Sequence, residues 1–303
     1  MTPIRGFGFS TKTGEDPDFE HLRRCLDEAA ELGVDFVELP LFTMDVIAGG
    51  CVLPSQLARI RKAIAGRGLG FTAHGAISIN FMQPLEIVAR HMSVAKATVE
   101  VAAQLGAVHA VFHTGSLLAS TDAEIEAAYA RQRDALASLG EFAAQHGVIV
   151  AIENIFVTDP DVHTALPSRL ATEIDAVAHP NIRACLDFSH AWITCTARGA
   201  DFLSDAKALA RVARHLHLHD SFGDPMQMRT VSRSERVAYG LGDLHLPLGW
   251  GAIPWDDIMA DFVFEPDAIF NLELPAPYWF ALAKSVTRMR ALGAAHVSAR
   301  GTG

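Results

Sequence analysis

The sequence predicts a single-domain α/β protein, a (β/α)8 TIM barrel that spans residues 1–295. The length of 303 residues suits one barrel better than two smaller domains. Apolar, β-rich runs alternate along the chain with longer segments of helical period, which gives eight strand-then-helix units. The predicted strands are almost continuously apolar, as is typical of a parallel sheet that is buried on both faces.

Eight apolar runs predict the strands of this barrel. They occupy residues 4–10, 34–42, 69–77, 107–113, 148–153, 181–187, 215–220 and 268–273. A doubly wound open sheet is the alternative architecture, and it would require a glycine-rich phosphate turn after the first strand. The turn after Phe9 reads Ser-Thr-Lys-Thr-Gly, which matches neither a dinucleotide-binding pattern nor a P-loop.

Helical periodicity predicts a helix after each strand. The helices occupy residues 18–33, 54–68, 84–106, 121–147, 168–178, 200–212, a short segment from residue 254, and 277–292. Gly33 is a typical helix stop, Pro54 suits a first helical turn, and Thr121 opens a Thr-Asp-Ala-Glu capping box. Residues 221–253 are predicted to form a long loop, and the tail from His296 to residue 303 is predicted to be disordered.

Composition and charge narrow the classes of partner. The formal net charge is −10, whereas a surface that binds nucleic acid needs clustered Lys and Arg, so nucleic acid is not expected. No apolar run is long enough to span a membrane, and the N-terminus shows no basic segment followed by an apolar one. The cysteines have no C-x-x-C spacing, which favours a reduced, cytoplasmic protein. They are Cys25, Cys51, Cys185 and Cys195.

The segment Ala-Cys-Leu-Asp-Phe-Ser-His at residues 184–190 is the central chemical motif. It reads as a short apolar strand that ends in Asp187, with His190 three residues further on. A carboxylate at a strand end and an imidazole in the next turn can face the same space. One oxygen and one nitrogen ligand of this kind suit a divalent metal.

Carboxylates and imidazoles recur at the predicted ends of strands three to eight, which converge on the mouth of a barrel. Glu153, Asp187 and Glu273 are carboxylates of this group. Buried together without a cation, they would repel one another by roughly several kcal/mol in a low dielectric. The sequence therefore predicts a divalent metal site. The candidate groups are His74, His113, Glu153, Asp187, His190, His215, His217, His219, Asp243, His245 and Glu273.

The number and identity of the metal ions stay open at this stage. Glu153, Asp187, His217 and Glu273 suffice for one ion, and the other groups could hold more, which gives one to three ions per chain. The mixed donor set fits Zn²⁺ or Mn²⁺, with Mg²⁺ or Co²⁺ as further candidates. The three histidines that alternate along strand seven share one face, so spacing alone does not separate His217 from His219 as the ligand.

These motifs resemble those of the xylose isomerase-like TIM barrels, a superfamily that includes sugar phosphate isomerases and epimerases and also endonuclease IV of AP endonuclease family 2. The similar motifs are His-x5-Asn from His74, Phe-His-x-Gly at His113, Ile-Glu-Asn at Glu153, Leu-Asp-x-x-His at Asp187 and Asp-x-His at Asp243. The resemblance covers nearly the whole chain. It favours His217 over His219, because Asp220 then follows three residues later as in the family.

For endonuclease IV, the resemblance implies three zinc ions on nine ligands. Their counterparts in this chain are His74, His113, Glu153, Asp187, His190, His217, Asp243, His245 and Glu273. For the sugar isomerases and epimerases, it implies one metal on Glu153, Asp187, His217 and Glu273, with His190 touching the substrate. The segment at residues 245–255 is similar to a Pro/Gly-rich loop of the isomerase group, whereas basic DNA-gripping loops are not evident.

The favoured hypothesis is a metal-dependent isomerase or epimerase of a small sugar, polyol or sugar phosphate. Glu153 and Glu273 would move a proton between two faces of the substrate, and His190 would assist as a third catalytic residue. Arginines of the long loop could clamp a phosphate or carboxylate, and aromatic side chains could lie against the sugar. The candidate substrate-binding residues are Asn154, Trp192, Arg229, Arg233, Arg236 and Trp250, with Phe81 and Trp279 as further aromatic candidates.

Two other functions are retained as alternatives. A di- or trinuclear zinc phosphoester hydrolase would use the full ligand set, on a small phosphodiester rather than on DNA. A non-catalytic metal-dependent binder has no specific sequence feature in its favour. The substrate in either enzymatic case is a small molecule, and a homo-oligomer is compatible with the sequence.

Overall fold

The computed structural model describes residues 4–11, 18–118, 121–156, 159 and 161–301. Eight parallel strands within these ranges close into a barrel in which each strand pairs with its neighbours in chain order. This confirms the predicted single-domain (β/α)8 barrel. The strands are β1 (Ile4–Ser10), β2 (Phe36–Pro40), β3 (Gly70–His74), β4 (Ala107–His113), β5 (Ile149–Glu153), β6 (Ile182–Asp187), β7 (Ala213–Leu218) and β8 (Ala268–Leu272).

Helices surround the barrel and connect successive strands. They are α1 (Glu20–Leu32), α2 (Pro54–Ile64), α3 (Leu85–Gln104), α4 (Asp122–His146), α5 (Pro167–Val177), α6 (Phe188–Arg198), α7 (Phe202–Ala210), α8 (Arg233–Tyr239), α9 (Trp255–Asp261) and α10 (Leu282–Gly301). Two 3-10 turns add to them, Leu41–Thr43 and Ala276–Ala281. No helix of the described chain has the length and apolar character needed to cross a bilayer.

Three helix ends follow the signals that the sequence carries. Gly33 ends α1 in the left-handed conformation (φ 63°), which glycine adopts without steric cost. Pro54 is the first residue of α2. Thr121 and Glu124 form the predicted capping box, in which the Glu124 amide donates to the Thr121 hydroxyl at 3.3 Å.

Two helices differ from the sequence prediction. The helix α6 begins directly after β6, because the Asp187 carboxylate caps it by accepting a hydrogen bond from the His190 amide (2.7 Å). The predicted loop 221–253 contains the two-turn helix α8, which Ser232 caps in the same way. Both helices are short and held by local caps, so their apolar periodicity is too brief to be recognised.

The prediction that the tail from His296 is disordered is wrong for residues 296–301, which continue α10. His296 is buried, its ring lies 4.7 Å from that of Phe264, and its Nδ1 is 3.2 Å from the Met259 carbonyl oxygen. These contacts fasten the end of α10 to the segment around α9, so the barrel extends past residue 295. Residues 302 and 303 lie outside the described residues.

The register of the strands brings the chemical side chains to one level of the barrel. His113 on β4 lies beside Glu153 on β5, and Asp187 on β6 lies beside His217 on β7. Both pairs are at the C-terminal ends of their strands, which all point to the same mouth.

Candidate metal centre

Glu153, at the end of β5, is the hub of the polar cluster at the mouth. Its side chain is buried, and four imidazoles surround it. The Oε2 atom lies 3.2 Å from His74 Nε2 and 3.5 Å from His113 Nε2. The Oε1 atom lies 3.1 Å from His217 Nδ1 and 3.4 Å from His190 Nδ1. Each of the two carboxylate oxygens of Glu153 therefore lies beside two imidazole nitrogens.

Two donor triads at this mouth involve the hub, one by including it and one through His190. His74, His113 and Glu153 form one triad, with ligand atoms within 4.8 Å of one another. His190, Asp243 and His245 form the other, in which Asp243 Oδ2 lies 2.6 Å from His245 Nε2 and 3.4 Å from His190 Nε2. Each triad offers the mixed nitrogen and oxygen donors that suit Zn²⁺ or Mn²⁺.

Asp187 connects the hub to β7. One of its oxygens caps α6, and the other lies 2.9 Å from His219 Nε2. Asn154 fixes the backbone of Asp187 on both sides, since its Nδ2 donates to the Asp187 carbonyl oxygen and its Oδ1 accepts from the Asp187 amide, both at 2.9 Å. Asn154 was a candidate substrate contact, and the structure shows it joined to Asp187 instead.

Both His217 and His219 enter the centre, next to different carboxylates. His217 Nδ1 lies 3.1 Å from Glu153 Oε1 and 3.6 Å from Glu273 Oε2. His219 lies against Asp187, and its ring stacks on that of His245 at 3.8 Å. The two side chains face the same way because they are two residues apart along one extended segment.

Glu38, on β2, is a member of the centre that the sequence analysis missed. It is buried beneath the hub, and its oxygens lie 3.2 Å from His217 Nε2 and 3.1 Å from His215 Nε2. It accepts hydrogen bonds from the hydroxyls of Ser10 (2.8 Å) and Thr72 (3.3 Å). The signal was a lone carboxylate within the apolar run Phe-Val-Glu-Leu-Pro. The predicted strand extended to residue 42, so Glu38 did not look like a strand end.

The electrostatics of the centre are those of carboxylates held between imidazoles. Burial opposes charge on Glu153, but the charge of His217 and hydrogen bonds from neighbouring histidines outweigh it and hold the pKa of Glu153 well below its usual value. Burial also opposes charge on His190, where the charges of Asp187 and Asp243 raise the pKa well above the ordinary value. Protons on imidazoles thus balance the buried carboxylates, a role that a bound metal cation would fill in their place.

The pKa values of two other histidines of the centre shift in opposite directions, according to whether burial or a neighbouring carboxylate has the larger effect. Burial lowers the pKa of His113 to about 4, so its imidazole is a neutral potential ligand at physiological pH. Burial acts in the same sense on His245, but Asp243 beside it raises that pKa to about 9.

The donor set fits a divalent metal. Two buried ring nitrogens, His217 Nε2 and His219 Nδ1, have no aligned hydrogen-bond partner among the described residues, although Glu38 lies 3.2 Å from the first. Unpaired buried nitrogens are costly, and ligation of either ring would fix its tautomer and orientation. A cation shared among Glu153, Asp187 and Glu273 would also remove their mutual repulsion.

A cavity of about 380 Å³ opens above the centre. Its floor contains Glu153, His190 and Glu273, and its walls include the apolar side chains of Phe42 and Phe156. The Glu273 side chain is 17% exposed, whereas that of Glu153 is 1% exposed. Glu273 is therefore the more accessible of the two candidate acid–base groups.

The arginines proposed to clamp a substrate anion do not line this cavity. Arg233 donates from Nη2 to the Leu244 carbonyl oxygen (2.8 Å) and lies over the Tyr278 ring. Arg229 is exposed and Arg236 half-buried on the segment around α8. The structure thus gives Arg233 a role in holding the loop.

The candidate aromatic residues also lie outside the cavity lining. Trp192 stacks on Phe202 at 5.4 Å, and Trp250 is 52% exposed beside Tyr278. Phe81 is buried in the core, and Trp279 Nε1 donates to Glu28 Oε2 (2.6 Å). The aromatic side chains that line the cavity are instead those of Phe42 and Phe156. Neither residue belongs to a motif or a residue spacing that the sequence analysis identified.

Solved structures with a similar fold include sugar epimerases. A D-tagatose 3-epimerase-like protein has a TM-score of 0.67 and 16% identity over 97% of this chain and 97% of its own. The IolI protein with a bound zinc atom has a TM-score of 0.68 and 17% identity over 97% of this chain and 98% of its own. The 3-keto-D-glucoside 4-epimerase YcjR from E. coli has a TM-score of 0.64 and 15% identity over 95% of this chain and 99% of its own. At these identities the likeness shows the fold.

Sequence comparison identifies the family. A search among curated proteins finds no match for the chain. The sequence model of the xylose isomerase-like TIM barrel family matches residues 26–295 of this chain. This range includes every barrel strand from β2 to β8. The chain belongs to the xylose isomerase-like TIM barrel family.

Proposed function

We propose that the protein is a metal-dependent isomerase or epimerase of a small sugar, polyol or sugar phosphate. The observation that carries this proposal is the cavity of about 380 Å³ with two carboxylates, Glu153 and Glu273, at its floor. Small-molecule sites occupy about 300–1,000 Å³, so the volume of the cavity suits a monosaccharide. Epimerases among the similar structures support this substrate class.

The metal of this proposal would be held by Glu153, Asp187, Glu273 and His217 or His219. Each side chain comes from a different strand end, and all of them are buried or nearly so. When bound, Zn²⁺ or Mn²⁺ would polarise adjacent substrate oxygens and acidify the C–H next to a carbonyl.

Proton transfer is assigned to the two glutamates. Glu273 reaches the cavity, and its Oε1 lies 3.4 Å from the Ser10 hydroxyl, which can hold the carboxylate in place. Glu273 would remove the proton from the substrate carbon, and Glu153 would return one on the opposite face. His190, which also lines the cavity, would hydrogen-bond a substrate hydroxyl. Phe42 and Phe156 would keep bulk water away from the carbanionic intermediate.

Exchange of substrate hydrogen with solvent tests this function. The metal-loaded protein is incubated in D2O with a panel of ketoses, inososes and sugar phosphates, and deuterium incorporation is followed by NMR. We expect Glu273→Gln to lower the exchange rate by about a hundredfold, since general base catalysis contributes about 10² to 10⁴. A matched control is Glu265→Gln, which alters a carboxylate paired with Arg214 elsewhere in the barrel.

Full exchange in Glu273→Gln would remove this residue from the mechanism. Absence of exchange in the wild-type protein with every member of the panel would count against the isomerase proposal itself.

A second candidate, a multinuclear zinc phosphoester hydrolase, is favoured by one specific observation. The two triads add five donors to those needed for a single ion, namely His74, His113, His190, Asp243 and His245. Two or three ions could stabilise the charge that develops in phosphoester cleavage. The acidic chain is compatible with a small phosphodiester substrate.

The variant His74→Ala separates the two candidates. His74 belongs to the first triad and is not needed for the single-ion set, so an isomerase should lose no more than about tenfold in rate, an effect typical of a supporting residue. A multinuclear hydrolase should lose about a thousandfold. The readouts are deuterium exchange and zinc-dependent hydrolysis of bis(4-nitrophenyl) phosphate, which we expect to be absent in the wild-type protein.

A further inference from the structure

A second, larger cleft adjoins the metal cavity. It has a volume of about 730 Å³ and lies between the segment that follows β2 and the helix α3. Phe42 and Ile77 line both the cleft and the metal cavity, so the two spaces share a wall. The Phe42 ring stands edge-on to His74, with ring centres 5.4 Å apart. A ligand bound at the metal centre can therefore continue past these two side chains into the cleft.

The shared wall is apolar and exposed. Phe42 is 38% exposed and Ile77 is 52% exposed, although both lie beside a charged centre. A ligand that covered these two side chains would remove apolar surface from water, which is favourable. A free monosaccharide in the metal cavity would leave most of the larger cleft empty.

A small hairpin forms part of the lining of the cleft. Its strands, Ile47–Ala48 and Cys51–Val52, are joined by Gly49 and Gly50, both with positive φ (59° and 79°). A side chain at Gly50 would collide with Ser93 on α3, so the turn lies directly against the helix. The hairpin backbone is therefore held directly against α3 at this part of the lining.

Among the residues that the structure describes, one exposed cationic side chain lines this cleft and makes no ion pair. Arg90 lines the cleft from α3, and it makes no ion pair with any residue that the structure describes. Two of the three hydroxyls in the lining are already engaged, since Ser93 donates to the Arg90 carbonyl oxygen and Thr98 to that of Val94. The guanidinium is thus the strongest available donor, and it suits an anionic group. Asp45 also lines the cleft but lies beyond ion-pair distance of Arg90.

We propose that the cleft is a second subsite, which binds an apolar arm ending in an anionic group, attached to the sugar that occupies the metal cavity. The sugar part of this ligand rests on the proposed function, whereas the cleft and its arginine do not. The substrate class is accordingly an anionic aryl or acyl conjugate of a sugar, with the conjugated end at Arg90 and the reacting carbons at the metal.

The cleft can be tested with a probe that does not require turnover. The metal-loaded protein is titrated with 1-anilinonaphthalene-8-sulfonate, an apolar anion, and with N-phenyl-1-naphthylamine, its uncharged analogue, by fluorescence. We expect saturable binding of the anion at one site per chain. Arg90→Gln should weaken it by about tenfold, the effect of one charge-assisted hydrogen bond, and leave the neutral probe unchanged.

Two further variants make this test specific. Ser78→Trp fills the cleft from an exposed loop and should weaken both probes. Arg24→Gln removes an exposed arginine from α1 and should change neither. Metal content is measured for each variant and should match the wild type. Competition by 4-phenylbutyrate and by phenylphosphonate then shows whether a carboxylate or a phosphate-like group is preferred.

Equal binding of the anionic probe by Arg90→Gln and Arg24→Gln would overturn the proposal, as would the absence of saturable binding to the wild type. These outcomes are independent of the deuterium-exchange assay. Exchange with free sugars and no cleft binding would leave the proposed function and remove the subsite. Binding of the anionic probe in the cleft without any deuterium exchange would leave the subsite and count against the proposed function.

Discussion

Replacing Glu153 with Gln is expected to lower catalytic proton exchange by about a thousandfold, since metal binding and acid–base chemistry both depend on this carboxylate. The reason is its position as the hub, within 3.5 Å of four imidazoles. The amide nitrogen of glutamine is a poor metal ligand. It is also a hydrogen-bond donor, so it cannot accept from the imidazole N–H groups around it. Exchange is measured by NMR on protein supplied with excess Zn²⁺ or Mn²⁺.

The same variant should be less stable even without metal. Removing one partner of a buried ion cluster leaves charges uncompensated, and we expect the free energy of unfolding to fall by about 3 kcal/mol. Urea denaturation of chelator-treated protein measures this change. The matched control is Glu173→Gln, which removes a buried carboxylate paired with Arg133 and Arg169 far from the centre. It should lose stability and keep its activity, so an inactive control would show that the assay reports folding alone.

Asp187→Ala is expected to give the second largest loss, roughly several hundredfold in the exchange rate, because a proposed metal ligand and the anchor of His219 are lost together. The unfolding free energy should also fall by about 3 kcal/mol or more, since the variant loses the cap of α6 and leaves the buried His219 without its ion-pair partner. Exchange rates and urea denaturation measure the two effects separately.

Asp201→Ala provides the control for capping. Asp201 caps α7 by accepting from the Ser204 amide (2.8 Å), the same role that Asp187 has for α6. We expect the control, an exposed cap, to lose only about 1 kcal/mol of unfolding free energy without any change in exchange or metal content. If Asp187→Ala behaved like Asp201→Ala, the role of Asp187 would be capping only.

The sequence was sufficient to predict the barrel and most of its mouth. Parallel strands are buried on both faces, so their apolar runs are easy to recognise, and the closure of the barrel brings strand ends together. His74, His113, Glu153, Asp187, His190, Asp243 and His245 were each identified as groups at or after a strand end, and they lie within one cluster. Local capping signals such as Thr121 were equally informative.

The remaining differences come from tertiary contacts that periodicity does not encode. Glu38 was missed because β2 ends at Pro40 rather than at residue 42. The segment around α8 was treated as a loop that could carry arginines to the substrate, but its caps and the bond from Arg233 to Leu244 hold it away from the cavity. His296 reads as part of a polar tail, and only its contacts with Phe264 and Met259 show why the helix continues.

Histidine spacing has a related limit. His217 and His219 are both oriented inward by the alternation of an extended chain, and β7 ends between them at Leu218. Spacing therefore predicts that both reach the centre, and it does not predict which carboxylate each will meet.

Elemental analysis of metal bound to the wild-type protein and to Glu153→Gln, purified without chelator or added metal, tests the central claim most directly. We predict at least about one Zn²⁺ or Mn²⁺ per wild-type chain and less than about a tenth of that in the variant, because the hub carboxylate is required for ligation. About three zinc ions per chain would favour the multinuclear hydrolase over the single-ion isomerase. A wild-type protein that is free of metal and keeps its full exchange activity in the presence of a chelator would contradict the account.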